Sequence, residues 1–221
     1  MNSIFDKKSL LLYAVTDKAW LDGRTLSHDV EEALMGGATM VQLREKELSV
    51  DDFLKEALEI KALCCKYGVP FIVNDNASVA LACNADGIHV GQSDMEALKV
   101  RERLGDGKII GVSVQTVEQA LLAEKSGADY LGVGAVFTTS TKTDADFVPY
   151  DTLKAICSAV SIPVVAIGGI YAHNIERLAG SGIDGVAVVS SLFAERDIRA
   201  AASKMRELSE KTVGFSEVEA K

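Results

Sequence analysis

No apolar run in the 221-residue chain is long enough to cross a bilayer. The N-terminal stretch MNSIFDKKSL lacks an apolar signal core, so a cytoplasmic protein with no membrane partner is expected. Basic residues are in deficit: 23 Lys and Arg stand against 32 Asp and Glu, and no basic cluster occurs. A net charge of −9 without such a cluster argues against nucleic acid as a partner. The cysteines show no paired metal spacing. Cys64, Cys65 and Cys83 lie in helix-like segments, where cysteine behaves as a small hydrophobe; Cys157 reads the same way, and none is assigned chemistry. There is no HxxxH or CxxC spacing and no Ser/His/Asp order that marks a nucleophile. His89 follows an apolar run and reads as a satisfied structural histidine; His28 and His173 fall beside helix starts and receive no role. No Ser/Pro-rich linker divides the chain, so residues 1–221 read as one domain. The last residues, from Thr212 to Lys221, lose periodicity and read as a frayed tail.

What the chain does have is apolar residues, 48% of the total, in short runs that alternate with amphipathic stretches. The strands read as Leu11–Val15, Met40–Leu43, Phe71–Val73, Gly87–Val90, Ile109–Val112, Tyr130–Val133, Val164–Ile167 and Gly185–Val188. The helices read as Ser27–Met35, Val50–Tyr67, Ala77–Cys83, Met95–Leu104, Val117–Ser126, Tyr150–Val160, Ala172–Ala179 and Ile198–Glu210. Runs such as VVAI and GVAVV are apolar without alternation, as strands buried on both faces should be. Eight βα units in this length predict an α/β fold of the TIM (β/α)8 type, with a doubly wound open sheet as the alternative. A weak echo accompanies the pattern. Gly37-Ala38-Thr39, Asn84-Ala85-Asp86, Gly127-Ala128-Asp129 and Gly182-Ile183-Asp184 each close a helix and open an even-numbered strand. This recurrence reads as architecture and carries no chemistry.

In such a barrel the active site forms past the carboxyl ends of the strands. Polar residues stand at nearly all of those ends: Thr16 and Asp17; Gln42, Arg44, Glu45 and Lys46; Asn74, Asp75 and Asn76; His89, Gln92, Ser93 and Asp94; Ser113; Gly168-Gly169; Ser190-Ser191. The longest connection runs from Gly132 to Asp151 and sets Thr138, Thr139, Ser140 and Thr141 directly before Lys142. Hydroxyls, backbone N–H groups and one cation within a few residues suit a phosphate or diphosphate; the alternative is a solvated surface loop. Gln42, Arg44 and Lys46 alternate at strand spacing, which puts an amide and two cations on one side and suits an anionic group; an exposed strand end is the alternative. Asp75 and Asp94 are hard oxygen donors with the character of a Mg²⁺ site, although either could instead cap the helix that follows it. Gly168-Gly169 and the end of the eighth strand suit a phosphate cradle. The mouth thus carries many anion binders, two carboxylates and no strong nucleophile, which favours chemistry with diphosphate as leaving group.

The motifs VQLREK (Val41–Lys46), VNDN (Val73–Asn76), HVGQSD (His89–Asp94), GVS (Gly111–Ser113), TTSTK (Thr138–Lys142) and AIGGI (Ala166–Ile170) resemble, in order, those of the thiamine phosphate synthase family. The resemblance spans roughly Leu12 to Glu207. It implies a TIM barrel, a transferase activity with two small-molecule substrates, and Mg²⁺ as cofactor. It implies Gln42, Arg44, Lys46, Asn74, Ser113 and Lys142 for a pyrimidine diphosphate, with Arg44, Ser113 and Lys142 closest to the chemistry. Asp75 and Asp94 are implied for the metal. Thr139, Ser140, Thr141, Gly169, Val189 and Ser190 are implied for a thiazole phosphate. One departure stands out: family members often carry PTPTK where this chain has TTSTK, so the loop before Lys142 is expected to be less rigid. The rival readings are the related thiazole tautomerase, which has no diphosphate to bind, and a non-catalytic sensor of phosphate ligands. A monomer or small homo-oligomer is expected.

Overall fold

The structure is a computed structural model; it describes residues 6–91, 97–138 and 147–215. Eight parallel strands close into a barrel in sequence order: β1 (Leu12–Val15), β2 (Met40–Leu43), β3 (Phe71–Asn74), β4 (Gly87–Val90), β5 (Ile109–Val114), β6 (Tyr130–Val133), β7 (Val164–Ile167) and β8 (Gly185–Val188). β8 returns to β1 with Tyr13 opposite Ala187, which completes the cylinder and excludes the open sheet. The helices are α1 (Leu26–Met35), α2 (Val50–Tyr67), α3 (Ala77–Ala82), α4 (Ala97–Leu104), α5 (Val117–Lys125), α6 (Tyr150–Ala159), α7 (Ser190–Phe193) and α8 (Ile198–Val213). No helix among the described residues is long and apolar enough to cross a membrane.

The helices start where side chains can cap them. Thr25, Ser49, Asn76, Thr116 and Asp197 each accept a backbone N–H from the first turn. Asn76 rather than Asp75 caps α3, which leaves the Asp75 carboxylate out of that role. The expected helix Ala172–Ala179 is instead a single 3₁₀ turn, Ile175–Leu178, which buries Ile175 and Leu178 with only four residues. The last helix runs to Val213, closed by Gly214 in the left-handed conformation, so Thr212 and Val213 belong to α8 and Thr212 is buried.

The recurring helix-to-strand segments have a definite job. Thr39 Oγ1 accepts the Leu12 N–H at 2.8 Å, Asp86 Oδ2 that of Phe71 at 2.8 Å, Asp129 Oδ2 that of Ile110 at 2.7 Å, and Asp184 Oδ2 that of Val164 at 3.0 Å. The backbone N–H of each of these four residues donates in return to the carbonyl of its partner residue, at 2.7 to 2.9 Å. Each even strand is therefore clamped to the start of the odd strand before it, at the end of the barrel away from the mouth.

Two cores result. One lies between strands and helices and includes Val41, Leu43, Val73, Ile88 and Leu131. The other fills the barrel with Tyr13, Val15, Met40, Ile72, Ile109, Tyr130, Val165 and Ala187. Because side chains alternate along a strand, the residues that follow these inward positions by two also face inward. They are Gln42 after Met40, Asn74 after Ile72 and, beyond Ile109 and the glycine at 111, Ser113. The mouth chemistry is continuous with the floor.

Candidate active site

The floor is built from polar groups that find partners inside the barrel. Gln42, 4% exposed, donates its Nε2 to the Tyr13 hydroxyl at 2.7 Å. That hydroxyl lies 2.8 Å from the Tyr130 hydroxyl. Tyr130 in turn lies 2.9 Å from His89 Nδ1, and His89 Nε2 is 2.9 Å from Ser113 Oγ. Five strands thus contribute one side chain each to an unbroken chain across the interior.

Gly111 makes this possible. Around the cylinder Asn74 pairs with His89, His89 with Gly111, and Gly111 with Tyr130. A Cβ at Gly111 would stand 2.1 Å from Tyr130 Cζ and 2.5 Å from His89 Nδ1. Its absence lets the two rings meet with centroids 5.5 Å apart. Burial holds both tyrosine hydroxyls well above their ordinary pKa, so they stay neutral; the hydrogen bonds that Tyr13 shares with Tyr130 and Gln42 oppose its shift without reversing it.

At the rim, Thr16 is fully buried and its Oγ1 accepts the Arg44 N–H at 3.0 Å. The Arg44 guanidinium lies 3.8 Å from Asp17. Lys18 bridges Glu45 at 3.2 Å and Glu56 at 2.7 Å, tying the connection after β2 to α2. Burial and the nearby Glu56 carboxylate raise the Glu45 pKa. β2 ends at Leu43, so strand alternation places Gln42 alone; Arg44 is half-buried and Lys46 exposed in the connection beyond.

Past β3, Asn74 Nδ2 donates to Asp75 Oδ2 at 2.5 Å, and Asp75 N donates to the His89 carbonyl at 2.9 Å. Asp75 is exposed and has φ of +59°, a conformation that a non-glycine residue adopts at a cost and that clusters at functional sites. Past β7, Gly169 has φ of +65°, and a Cβ there would stand 2.4 Å from the Thr138 carbonyl oxygen. Val136 N donates to Ile167 O and Phe137 N to Gly168 O, both at 3.0 Å. The start of the hydroxyl-rich connection is thereby laced to the Gly168-Gly169 turn. Asn174 Nδ2 holds the Gly169 carbonyl at 2.8 Å, and the Tyr171 hydroxyl meets Ser190 Oγ at 2.7 Å beside Val189.

Gln42 and Ser113 are brought into one network, Asn74 and Asp75 into a second, and Gly169 joins the loop that leads to Thr139. Thr139, Ser140, Thr141, Lys142 and Asp94 lie outside the described residues. The sequence reading missed Tyr13, Tyr130 and Tyr171. For Tyr13 and Tyr130 the available signal was a phenol inside an otherwise aliphatic strand, since a buried tyrosine hydroxyl needs a partner; Tyr171, in the connection after β7, gave no such signal. Three of the cysteines stay chemically quiet: burial pushes the thiols of Cys64 and Cys157 up to about 12 and also raises Cys83.

A closed parallel barrel with polar side chains gathered past its strand ends defines a (β/α)8 protein of the small-molecule-processing class. The family profile for thiamine monophosphate synthase matches residues 12–192. The chain belongs to the thiamine monophosphate synthase family. It is 52% identical over 197 residues to a thiamine-phosphate synthase of Ruminiclostridium cellulolyticum, covering 89% of this chain and 94% of that one. It is 49% identical over 194 residues to a thiamine-phosphate synthase of Clostridium tetani, covering 88% and 93%. The solved thiamine phosphate pyrophosphorylase of Pyrococcus furiosus superposes with a TM-score of 0.87 at 38% identity, covering 94% of this chain and 99% of that one.

Proposed function

We propose that this barrel joins 4-amino-5-hydroxymethyl-2-methylpyrimidine diphosphate to 4-methyl-5-(2-phosphoethyl)thiazole, giving thiamine phosphate and diphosphate. Family membership makes the chain a thiamine-phosphate synthase, a transferase of thiamine biosynthesis. The observation that carries the reading is the order of the mouth motifs on the strand ends: Gln42 and Arg44 at β2, Asn74 and Asp75 at β3, Ser113 at β5. Gln42, Arg44, Lys46, Asn74, Ser113 and Lys142 hold the pyrimidine diphosphate. Thr139, Ser140, Thr141, Gly169 and the Val189-Ser190 segment hold the thiazole phosphate. The tautomerase reading leaves the set Arg44, Lys46, Asp75, Asp94 and Lys142 without a purpose. We place the reaction in the cytoplasm and read the whole chain as one domain.

Mg²⁺ fits the donors present. Asp75 offers carboxylate oxygens at an exposed turn, with Asp94 as the second ligand. Among the described residues no group of three or more His, Cys, Asp or Glu side chains converges. That suits an ion held by one or two carboxylates and completed by water and phosphate oxygens. When bound, Mg²⁺ neutralises charge on the diphosphate.

The protein's part is electrostatic. Arg44 and Lys142 stabilise the negative charge that grows on the diphosphate as the methylene carbon–oxygen bond breaks and its electron pair leaves with the phosphate oxygen. The aminopyrimidine ring carries the resulting cation. The thiazole nitrogen lone pair then forms the new carbon–nitrogen bond. No protein nucleophile and no net proton transfer are needed, in keeping with the described residues of the mouth, among which there is neither a cysteine thiolate nor a serine–histidine–aspartate set. Incubation with both substrates, with and without Mg²⁺, tests the proposal, with product read as fluorescent thiochrome. Metal-dependent product is expected; no product with any divalent ion would overturn it.

A further inference from the structure

Arg44 and Lys46 stand past Leu43, the last residue of β2, where no strand ladder fixes them. The connection after β1 takes over that task through three consecutive residues. Thr16 N donates to the Gln42 carbonyl at 2.9 Å, and Thr16 Oγ1 accepts the Arg44 N–H at 3.0 Å. Asp17 Oδ1 accepts the Ala19 N–H at 2.9 Å, which caps the 3₁₀ turn Lys18–Trp20, and Asp17 Oδ2 lies 3.8 Å from the Arg44 guanidinium. Lys18 then reaches Glu45 at 3.2 Å and Glu56 of α2 at 2.7 Å. The turn is itself anchored. Arg24 Nη2 donates to the Trp20 carbonyl at 2.9 Å, and Arg24 Nε donates at 2.8 Å to Asp29 of α1, which is buried. Lys18 is thus braced from α1 on one side and grips α2 on the other.

We propose that Lys18 is a positioning residue for the pyrimidine diphosphate: by holding Glu45 against α2 it fixes the backbone between Arg44 and Lys46 and so sets where both cations stand. The inference rests on the placement of those two cations in the diphosphate site. Its physical ground is a pair of carboxylates. The side chains of Glu45 and Glu56 are 8% and 17% exposed, and like charges so little exposed repel with weak screening. Burial and Glu56 both disfavour the charged form of Glu45, and Lys18 opposes them. One ammonium shared by the two carboxylates converts a repulsive pair into a clamp. Removing it leaves buried charge uncompensated, and Glu45 then gains by swinging out to water. The residues on either side of Glu45 are Arg44 and Lys46, so they move with it. An exposed ion pair would be worth little. This clamp instead joins the turn after β1, the connection after β2 and α2.

Steady-state kinetics of the full-length enzyme test the clamp, with folding checked by Tm. Lys18→Gln should lower kcat/KM for the pyrimidine diphosphate about tenfold, within the range by which neighbouring residues couple, and leave the KM for the thiazole phosphate unchanged. Glu45→Gln removes the same grip from the other side and should cost about as much. It decides the matter alone if Lys18→Gln fails to fold, and an unchanged kcat/KM there overturns the proposal. The double variant should cost little more than either single one, since each change already opens the clamp. Glu56→Gln added to Lys18→Gln should recover most of the loss, because one carboxylate no longer repels the other. Losses that multiply in the double variant, losses shared equally by the two substrates, no loss, or no recovery with Glu56→Gln overturn the positioning role. Arg44→Ala reports on the site reading. An unchanged kcat/KM for the pyrimidine diphosphate in that variant removes Arg44 from the site and takes the proposal with it. A fall there with Lys18→Gln silent overturns the positioning role alone.

Discussion

Tyr13 and Tyr130 show how burial becomes a pH dependence. An unfolded tyrosine ionises near the ordinary value of 10.0, whereas burial keeps both of these protonated above it. A raised folded-state pKa contributes stability that is fully present below the unfolded value and lost as pH climbs past it. Stability should therefore fall as pH rises beyond the ordinary tyrosine range, and two of the five tyrosines should form tyrosinate only as the chain unfolds. Alkaline titration of tyrosinate absorbance beside circular dichroism checks this; full titration with the fold intact would contradict it. Lys142→Ala should lower kcat/KM by the equivalent of roughly 1.5–3 kcal/mol, the range for one contact to a charged group. Asp75→Ala should lose most activity and stay folded, since Asn76 caps α3 without it. Full activity of that variant at low Mg²⁺ would remove Asp75 from the metal site. Gln42, Asn74 and Ser113 were legible in the sequence because each is polar at the end of an apolar run. The hydrogen-bonded pair of tyrosines was not, since the partner of Tyr13 lies 117 residues away and only closure of the barrel reveals it.

The elements were legible wherever local chemistry decided them. Met40–Leu43, Gly87–Val90 and Val50–Tyr67 fall where the pattern puts them, because capping residues and apolar runs coincide there. The segment after β7 broke the pattern: its apolar residues Ile175 and Leu178 are buried by one 3₁₀ turn, so a full helix was not needed. The clamps at the closed end are worth testing as elements. Asp129 holds the Ile110 N–H at 2.7 Å and Arg101 at 2.6 Å. Asp129→Ala should destabilise the protein by about 1–3 kcal/mol through an orphaned backbone donor, while kcat at low temperature stays unchanged. Denaturant unfolding measures the first and turnover the second; a large fall in kcat without loss of stability would show that the clamp reaches the mouth. Gly111→Ala should lower thermal stability, because its Cβ meets the Tyr130 ring at a distance no packed carbon tolerates. Equal thermal stability of Gly111→Ala and wild type would refute that packing.

At the scale of the molecule, one closed barrel separates stability from chemistry. The Thr39, Asp86, Asp129 and Asp184 clamps fasten one end, and the polar strand ends open at the other. The order of βα units was readable because each unit repeats the same local instructions. The convergence of distant residues on one mouth followed only from that closure. As proposed here, the mouth stabilises a departing diphosphate and leaves bond formation to the substrates. If so, positive charge builds on the pyrimidine methylene in the transition state. Replacing the pyrimidine's methyl group with a strongly electron-withdrawing group of similar size should then slow the chemical step by orders of magnitude. Binding should change little, since the loss falls on the barrier and not on the diphosphate contacts. Single-turnover rates with the two pyrimidine diphosphates are the deciding measurement. A large fall in rate at unchanged affinity is expected; equal rates, with chemistry limiting in both, would mean that attack accompanies departure and that the mouth does not act by stabilising a departing diphosphate first.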